Sequence, residues 1–156
     1  MVSFDPVPAD SPRAAARLGE YFEARAESFP NGVYRPAVPS AHTFTPPEGV
    51  FLIVVDGQGR DVGCGGVRRI DPGPAGTRYE IKHLFLDPST RGQGWGGQLL
   101  AVLEQYARQW GAAELVLDTH HSLAAAAGLY ARAGYASIEA YNDNPNATRW
   151  YGKLLG

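Results

Sequence analysis

A glycine-rich loop that leads directly into an apolar helix is the most constraining feature of this sequence. Residues 91–97, RGQGWGG, contain four glycines, and apolar residues then recur at spacings of three and four from Leu99 to Trp110. A strand, a glycine-rich turn and a helix N-terminus form an anion site, because unpaired N–H groups and the helix dipole face the loop. The loop therefore predicts phosphate binding. The alternative is a tight turn whose glycines only permit close packing.

The segments before the loop predict a helix and an antiparallel meander. A capped helix is predicted over residues 13–28, and the segment from Phe29 to Glu48 carries five prolines, too many for a regular helix interior. A short helical turn fits only around Pro39 to His42. Apolar runs separated by turn residues then predict three consecutive strands, at residues 51–55, 62–70 and 79–86.

The remaining segments complete an α/β (α+β) pattern. After the loop helix, the sequence predicts a buried strand, an alanine-rich helix and two terminal strands, at residues 114–118, 123–133, 136–141 and 149–155. With a short first strand at residues 2–4, this order predicts a seven-stranded, mixed and mostly antiparallel sheet. The length and the 44% content of hydrophobic residues suit a single domain over residues 1–156.

Composition excludes several classes of function. A net charge of −2 supplies no basic field, so nucleic acid is not an expected partner. Cys64 is the only cysteine, and His120 and His121 are adjacent, so we expect no intramolecular disulfide and no bound metal. No apolar stretch approaches the roughly 20 residues of a membrane span, and no signal peptide is recognisable. These observations predict a soluble, cytoplasmic protein with no membrane partner.

Several motifs, in the right order, resemble those of the GNAT superfamily of N-acetyltransferases. Arg91 to Gly96 fits its (Gln/Arg)-x-x-Gly-x-(Gly/Ala) signature, between the fourth strand and the third helix of that fold. Leu129-Tyr130 and Gly134-Tyr135 are similar to its LYxxxGF element, and residues 62–66 and 80–82 resemble its third and fourth strands. The resemblance covers almost the whole chain. It implies the GNAT fold, with about four helices and a V-shaped split between strands 4 and 5.

The resemblance also implies acetyl-CoA as the cosubstrate and no metal. In this superfamily, the loop amides bind the pyrophosphate, and the pantetheine arm pairs like an extra strand in the split. The positions implied for the pantetheine arm are Leu84, Phe85 and Leu86. The positions implied for the pyrophosphate are Arg91, Gly92, Gln93, Gly94, Trp95 and Gly96. Leu123 stands where many members carry asparagine, so some contacts with CoA are expected to differ.

Glu80 is the predicted general base. Acetyl transfer needs a neutral amine, stabilisation of the oxyanion and a proton for the departing thiolate. Glu80 lies eleven residues before Arg91, the spacing of the glutamate base in the histone-modifying branch of the superfamily. Strand alternation predicts that it shares a face with Lys82 and Leu84, with His83 on the opposite face. The alternative is an ordinary strand carboxylate paired with Lys82 or a neighbouring arginine.

Tyr130 is the predicted general acid. It resembles the tyrosine that lies beside the CoA sulfur in many members of the superfamily. A phenol with a pKa near 10 can protonate a thiolate whose conjugate acid has a pKa near 8.5. The alternative is a buried core tyrosine. The oxyanion is expected to be bound by a backbone N–H near Leu84 to Leu86, so no side chain is assigned to it.

The acceptor is expected to enter opposite CoA, between the segment after the first helix and the loop joining the last two strands. We expect Asp143 to attract an ammonium and Arg35 a carboxylate. The other candidate contacts are Tyr34, Asn142 and Asn144. The tail from Arg149 to Leu154 resembles the closing strand of small-molecule members. Because tight hairpins also use Asn, Asp and Pro, a purely structural role for the loop stays open.

The predicted function is N-acetyl transfer from acetyl-CoA to a primary amine of a small polar or amino-acid-like acceptor, by direct attack in a ternary complex. A protein-lysine or N-terminal acetyltransferase is one alternative. A catalytically idle acyl-CoA-binding or sensing domain is another. Nucleotide or NAD binding rests on the glycine loop alone, and no Gly-Lys-Ser/Thr follows that loop. A homodimer is left open, since no segment identifies an interface.

Overall fold

A seven-stranded sheet is the central element of the computed structural model, which describes residues 1–29, 34, 36 and 38–156. The strands are β1 (Ser3–Pro6), β2 (Gly49–Val55), β3 (Asp61–Gly73), β4 (Gly76–Leu86), β5 (Glu114–Thr119), β6 (Ala136–Ser137) and β7 (Arg149–Leu154). Their order across the sheet is β1-β2-β3-β4-β5-β7-β6. The pair β4 and β5 is parallel, and the other neighbouring pairs are antiparallel. The mixed, mostly antiparallel sheet predicted from the sequence is confirmed.

Helices cover both faces of this sheet. In the described part of the chain they are α1 (Pro12–Ser28), α2 (Trp95–Gln109) and α3 (Ala124–Arg132), with 3₁₀ turns at His42–Phe44 and Pro88–Thr90. The Ser11 side chain caps α1 by accepting a hydrogen bond from the Ala14 N–H. The fold was expected to have about four α-helices. Three lie in the described residues, and the described part of the proline-rich segment contains the 3₁₀ turn at His42–Phe44.

Two apolar cores lie on opposite faces of the sheet. Val50, Leu52 and Val54 of β2 pack toward α2, whereas Phe51 and Ile53 pack toward α1. The strand reads as an uninterrupted apolar run because both of its faces are covered. None of the helices in the described part of the chain combines the length and the hydrophobicity of a membrane-spanning segment.

The sixth strand is shorter than the sequence predicted. Strand pairing was expected over residues 136–141, but β6 ends at Ser137. Ile138 still donates a backbone hydrogen bond to the Trp150 carbonyl, and the chain then leaves the sheet. The Tyr141 hydroxyl donates to Glu80 on β4, so contacts with side chains replace the expected continuation of the strand.

The face alternation of β4 breaks at His83, which has a φ of 58°. The register with β3 shifts at this point, so a β-bulge displaces the alternation by one residue. The His83 ring therefore packs against Phe22 on the α1 side, and Leu84 packs into the core on the α2 side. The predicted faces of His83 and Leu84 were wrong for this reason, whereas Glu80 and Lys82 do share a face.

The parallel strands β4 and β5 are paired over only part of their length. Cα pairing runs from Arg78–Glu114 to Ile81–Leu117. Beyond this point, β4 continues to Leu86 and β5 continues to Thr119 without pairing to each other. The two strands therefore form the V-shaped split that the resemblance implies.

Candidate active site

A cleft of about 500 Å³ lies at the opening of the strand split. Its walls come from α1, the end of β4, the glycine loop and α3. Beyond Ile81, the edge of β4 that faces β5 is not paired by that strand. Buried backbone N–H and C=O groups require partners, so an extended ligand can add to this edge like a strand.

The glycine loop forms one end of the cleft. Gly92 and Gly94 have φ values of 82° and 76°, a left-handed conformation that strongly favours glycine. Gly94 is the N-cap of α2 and provides no side-chain cap, so N–H groups of the first helical turn have no side-chain acceptor there. A Cβ atom on either glycine would meet no atom within 4 Å. Close packing therefore does not explain these two glycines, and the space beside them is open to an anion.

A second, smaller cavity of about 60 Å³ lies at the base of the split. It shares Tyr21, Arg25 and Leu84 with the large cleft, so the two spaces adjoin. Tyr130 lines this inner cavity and is only 5% exposed. Burial raises the pKa of Tyr130 above its ordinary value, so the phenol is protonated at neutral pH. A protonated phenol at this position can donate a hydrogen bond or a proton into the cavity.

A buried ion pair also lines the inner cavity. Lys82 Nζ lies 3.0 Å from Asp118 Oδ1, and their side chains are 15% and 5% exposed. The Asn142 amide donates to Asp118 Oδ2 over 2.7 Å. Burial acts to raise the pKa of Asp118, but the Lys82 charge and the hydrogen bonds outweigh it, so the pKa is lowered. The pair joins β4 to β5 just where their backbone pairing stops.

Glu80 lies beside this site without lining either cavity. Its Oε1 accepts from Arg68 Nε at 2.9 Å, and its Oε2 accepts from the Tyr141 hydroxyl at 2.6 Å. The carboxylate is 1% exposed. The ion pair considered as an alternative role is therefore present, with Arg68 as the partner. Glu80 as general base stays a prediction, and it requires Tyr141 or a water molecule to carry the proton.

The predicted acceptor residues have diverse surroundings. Tyr34 is half-buried, whereas Arg35 lies outside the described residues. Asn142 Oδ1 accepts from the Trp150 indole at 3.0 Å, and Asn144 Oδ1 accepts from the Asn146 N–H at 3.0 Å. These amides stabilise the hairpin, which is the structural role left open from the sequence. The Asp143 side chain is exposed. Contact of any of these residues with an acceptor stays a prediction.

The adjacent histidines make local contacts. The His120 and His121 rings stack at 4.3 Å, and their Nδ1 atoms lie 2.7 Å from Ser122 Oγ and Thr148 Oγ1 respectively. Within the described ranges, no group of three or more His, Cys, Asp or Glu side chains is placed to hold a metal. Burial raises the pKa of Cys64 to about 12, so its thiol is protonated and unreactive.

Sequence reasoning missed four residues that line the inner cavity. Lys82 was considered only as a partner of Glu80, and Asp118 was assigned no role. Tyr21 and Arg25, within the predicted first helix, were assigned no role, and both contribute to the cavity wall. Their spacing of four residues was the available signal, since it puts them on one side of α1. It does not reveal which part of the sheet that side covers.

Comparison with known protein families confirms the family that the sequence motifs resemble. The chain matches the model of the Acetyltransferase (GNAT) family over residues 18–135, and it belongs to this family. An uncharacterized N-acetyltransferase of Schizosaccharomyces pombe is 34% identical over 102 residues, which cover 65% of this chain and 61% of that protein. The matched segment therefore spans less than two thirds of that relative's own length.

Solved structures show the same fold. A protein of Klebsiella pneumoniae is 27% identical, with a TM-score of 0.78, and the match covers 100% of this chain and 99% of that chain. A GNAT family acetyltransferase from Elizabethkingia anophelis, solved with acetyl-CoA bound, is 18% identical with a TM-score of 0.67. That match covers 99% of this chain and 98% of the other.

Proposed function

We propose that this chain is an acetyl-CoA-dependent N-acetyltransferase that acts on the primary amine of a small polar or amino-acid-like acceptor. One observation supports the proposal above all: the strand split, the glycine loop and buried Tyr130 all border the large cleft or the inner cavity that adjoins it. Family membership supports the same reaction type. A cytoplasmic location belongs to the proposal and is compatible with a single reduced cysteine.

The donor half of the proposal assigns the large cleft to acetyl-CoA, which supplies the acetyl thioester. Leu84, Phe85 and Leu86 offer backbone groups to the pantetheine arm, and the loop from Arg91 to Gly96 offers N–H groups to the pyrophosphate. The uncapped start of α2 and the open space beside Gly92 and Gly94 support this assignment.

The catalytic half assigns proton transfer to Tyr130 and Glu80. Tyr130 holds its proton because of burial, and it lies at the inner cavity where the thiolate would leave. Glu80 would accept the amine proton through water or through Tyr141, since its two oxygens are already hydrogen-bonded. A Glu80→Gln variant tests this role directly. A loss of about 100-fold in kcat is expected if Glu80 is the general base. An unchanged kcat would leave Glu80 with a structural role only, as the ion-pair partner of Arg68.

The first experiment is a thermal-shift titration with acetyl-CoA, CoA, ATP and NAD in parallel. A ligand that binds only the native state raises the melting temperature. We expect a rise with acetyl-CoA and CoA alone, followed by thiol release when small amines are added. No rise with either ligand, for a protein shown to be folded, would overturn the proposed function.

A catalytically idle CoA-binding domain is the second candidate. It is favoured by one observation, that both Glu80 oxygens are engaged by Arg68 and Tyr141. Binding of acetyl-CoA without thiol release across small amines and lysine peptides would support this candidate. Release with lysine peptides alone would instead indicate a protein acetyltransferase.

A further inference from the structure

A carboxylate faces the inner cavity at the base of the strand split. Among the described residues that line this cavity, Asp118 is the only Asp or Glu, and Glu80 is not one of them. Tyr130 lines the same space, and the Asp118 charge contributes, after burial and Tyr21, to raising the pKa of the Tyr130 phenol. Asp118 therefore lies near the group that the proposed mechanism uses as its proton donor.

The Asp118 carboxylate has room for a further hydrogen-bond donor. Its Oδ1 accepts from Lys82 Nζ at 3.0 Å, and its Oδ2 accepts from the Asn142 amide at 2.7 Å. Asn144 lies close enough to contribute a third hydrogen bond. A carboxylate offers about four lone-pair positions to donors, so at least one position remains for a ligand in the cavity.

Lys82 keeps this carboxylate ionised in a place where burial favours the neutral acid. The Asp118 side chain is 5% exposed, and burial alone would raise its pKa. The Lys82 charge and the hydrogen bonds more than offset burial, so the pKa of Asp118 is lowered. An ionised carboxylate therefore borders the inner cavity at neutral pH.

Stability alone does not require a buried ion pair at this place. The desolvation of two charges opposes their mutual attraction, and replacing both partners of a buried pair by apolar residues is often neutral or stabilising. The cavity lining beside the pair includes the apolar residues Ile81, Leu84 and Leu117. Apolar side chains at positions 82 and 118 would suit these surroundings, so the pair is better explained by what it offers to a ligand.

The inner cavity fits the reacting end of an acceptor. A water molecule requires about 10–15 Å³ on this measure, so a cavity of about 60 Å³ holds roughly four waters. That space accommodates an amine and the carbon that bears it. A nitrogen placed there is bordered by both Asp118 and Tyr130.

We infer that Asp118 binds the acceptor amine and stabilises the positive charge that forms on its nitrogen during attack. This inference rests on the proposed acetyltransferase function and adds a catalytic residue to it. The lone pair of the neutral amine forms a bond to the thioester carbon, which leaves the nitrogen positive and the carbonyl oxygen negative. Asp118 accepts a hydrogen bond from this nitrogen. A fixed carboxylate in a poorly solvated site stabilises such a charge more than water does.

The protons balance over the whole reaction. Glu80, through water or Tyr141, takes the first proton, which converts the ammonium of the acceptor into the neutral amine. When the C–S bond breaks, the thiolate receives a proton from Tyr130, and the nitrogen gives up its second proton. Tyr130 regains a proton from the nitrogen through water in the cavity. Asp118 stays ionised throughout, so its role is to bind and stabilise, not to carry a proton.

The test treats the Lys82–Asp118 pair as a double-mutant cycle. Thiol release from acetyl-CoA is measured with methylamine, ethanolamine, the common amino acids, their carboxamides and a lysine peptide. The amine that wild type acetylates fastest is then used for every variant. Loss of Lys82 removes the charge that keeps the pKa of Asp118 low, so all assays run at pH 9 to keep the carboxyl ionised.

The cycle separates a catalytic carboxylate from a structural one. Asp118→Asn is expected to lower kcat by about 100-fold and to leave the Kd of acetyl-CoA within about twofold. Lys82→Met should lower kcat by less than about tenfold, because the carboxylate remains. Adding Asp118→Asn to Lys82→Met should lower kcat by about 100-fold more, although no ion pair is left to break. If Asp118→Asn alone does not fold, the double variant decides, because it leaves no unpaired buried charge.

The Lys153–Glu104 pair provides the matched control. Lys153 Nζ lies 3.1 Å from Glu104 Oε1, and both side chains are partly buried. Neither residue lines the large cleft or the inner cavity. Glu104→Gln, with and without Lys153→Met, should therefore change kcat by no more than about twofold.

Three results would overturn the inference and leave the proposed function intact. The first is a kcat in Asp118→Asn that equals that of wild type. The second is a double variant as active as Lys82→Met, which would show that Asp118 only compensates the Lys82 charge. The third is a loss of acetyl-CoA affinity in Asp118→Asn as large as its loss of kcat, which would assign the pair to the shape of the cleft.

Failure of the proposed function is distinct from these results, because it appears in the wild-type protein. It is seen as the absence of acetyl-CoA binding, or as binding without thiol release for every amine tested. Either outcome would overturn the inference together with the function on which it rests.

Discussion

The boundary between β4 and β5 has two halves with opposite properties. In the paired half, residues 78–81 lie against residues 114–117 with regular parallel pairing, and Leu115 is fully buried. In the open half, residues 82–86 and 118–119 separate, and the gap contains a buried ion pair and two adjoining spaces. Leu86 in this half is only partly buried.

The difference shows how one pair of strands can provide both stability and a binding site. Paired strands satisfy their backbone groups and bury apolar side chains, so they stabilise the fold. Separated strands leave backbone groups and charges for a ligand to satisfy, which lowers local stability and creates function. The bulge at His83 lies at the start of the open half and changes which side chains face the site.

The largest expected effect is a loss of stability in the paired half. Leu115→Ala should reduce the free energy of unfolding by about 2–5 kcal/mol, since it leaves a cavity in the core between β4, β5 and α2. Leu86→Ala in the open half should reduce it by only about 1–2 kcal/mol. Urea denaturation measures both. Equal losses would mean that the two halves contribute alike to stability.

The next effect concerns catalysis in the open half. Tyr130→Phe should lower kcat by about 100-fold through loss of the proton donor, with acetyl-CoA affinity unchanged. Tyr135→Phe is the matched control, because the Tyr135 hydroxyl donates to Glu104 at 2.9 Å, and neither residue lines the large cleft or the inner cavity. Steady-state kinetics and calorimetric binding separate the two variants. A loss of acetyl-CoA binding in Tyr130→Phe would instead assign Tyr130 to structure.

A smaller effect is expected at the glycine loop. Gly94→Ala should weaken acetyl-CoA binding about tenfold, because alanine at a φ of 76° is strained and its Cβ enters the space beside the loop. Gly59→Ala introduces the same backbone strain at a φ of 80°, in the turn between β2 and β3. Both variants should lose about 1–2 kcal/mol of stability, and only Gly94→Ala should alter binding. Similar Kd values for both would contradict a phosphate role for the loop.

The last expected effect is a pH dependence of stability at the bulge, which is small for each pH unit. Burial, followed by the Lys82 charge, lowers the pKa of native His83 from 6.5 to about 3. Between these two pH values, His83 is protonated in the unfolded chain but neutral in the native chain. Stability is therefore retained above about pH 6.5 and declines by at most about 1.4 kcal/mol per pH unit as the pH falls toward 3.

Urea denaturation at pH 7, 6 and 5 measures this dependence. His83→Phe should flatten the slope between pH 6.5 and 5, because phenylalanine keeps the ring contacts without a titratable group. His42→Gln, which replaces an exposed histidine, should keep the slope. The same slope in wild type and His83→Phe would show that another group titrates on unfolding.

Much of the fold was predictable because it depends on neighbours in sequence. The three-strand meander, the helix after the glycine loop and the buried strand at residues 114–118 each follow from local periodicity and turn residues. The loop signature and the motif around Tyr130 led to the family for the same reason. The length of β6 was less well predicted, because a contact of the Tyr141 hydroxyl with the distant Glu80 carboxylate takes the place of further strand pairing.

The sequence by itself determined the type and order of the main elements, the glycine loop and the family, since each is a property of adjacent residues. Only the tertiary structure decided the partners within the site. The Lys82–Asp118 pair, the Glu80–Arg68 pair and the contact of Arg25 with the Asn146 carbonyl join residues 36, 12 and 121 positions apart. Such partners depend on strand register, on the bulge at His83 and on where α1 crosses the sheet, and no local pattern encodes these.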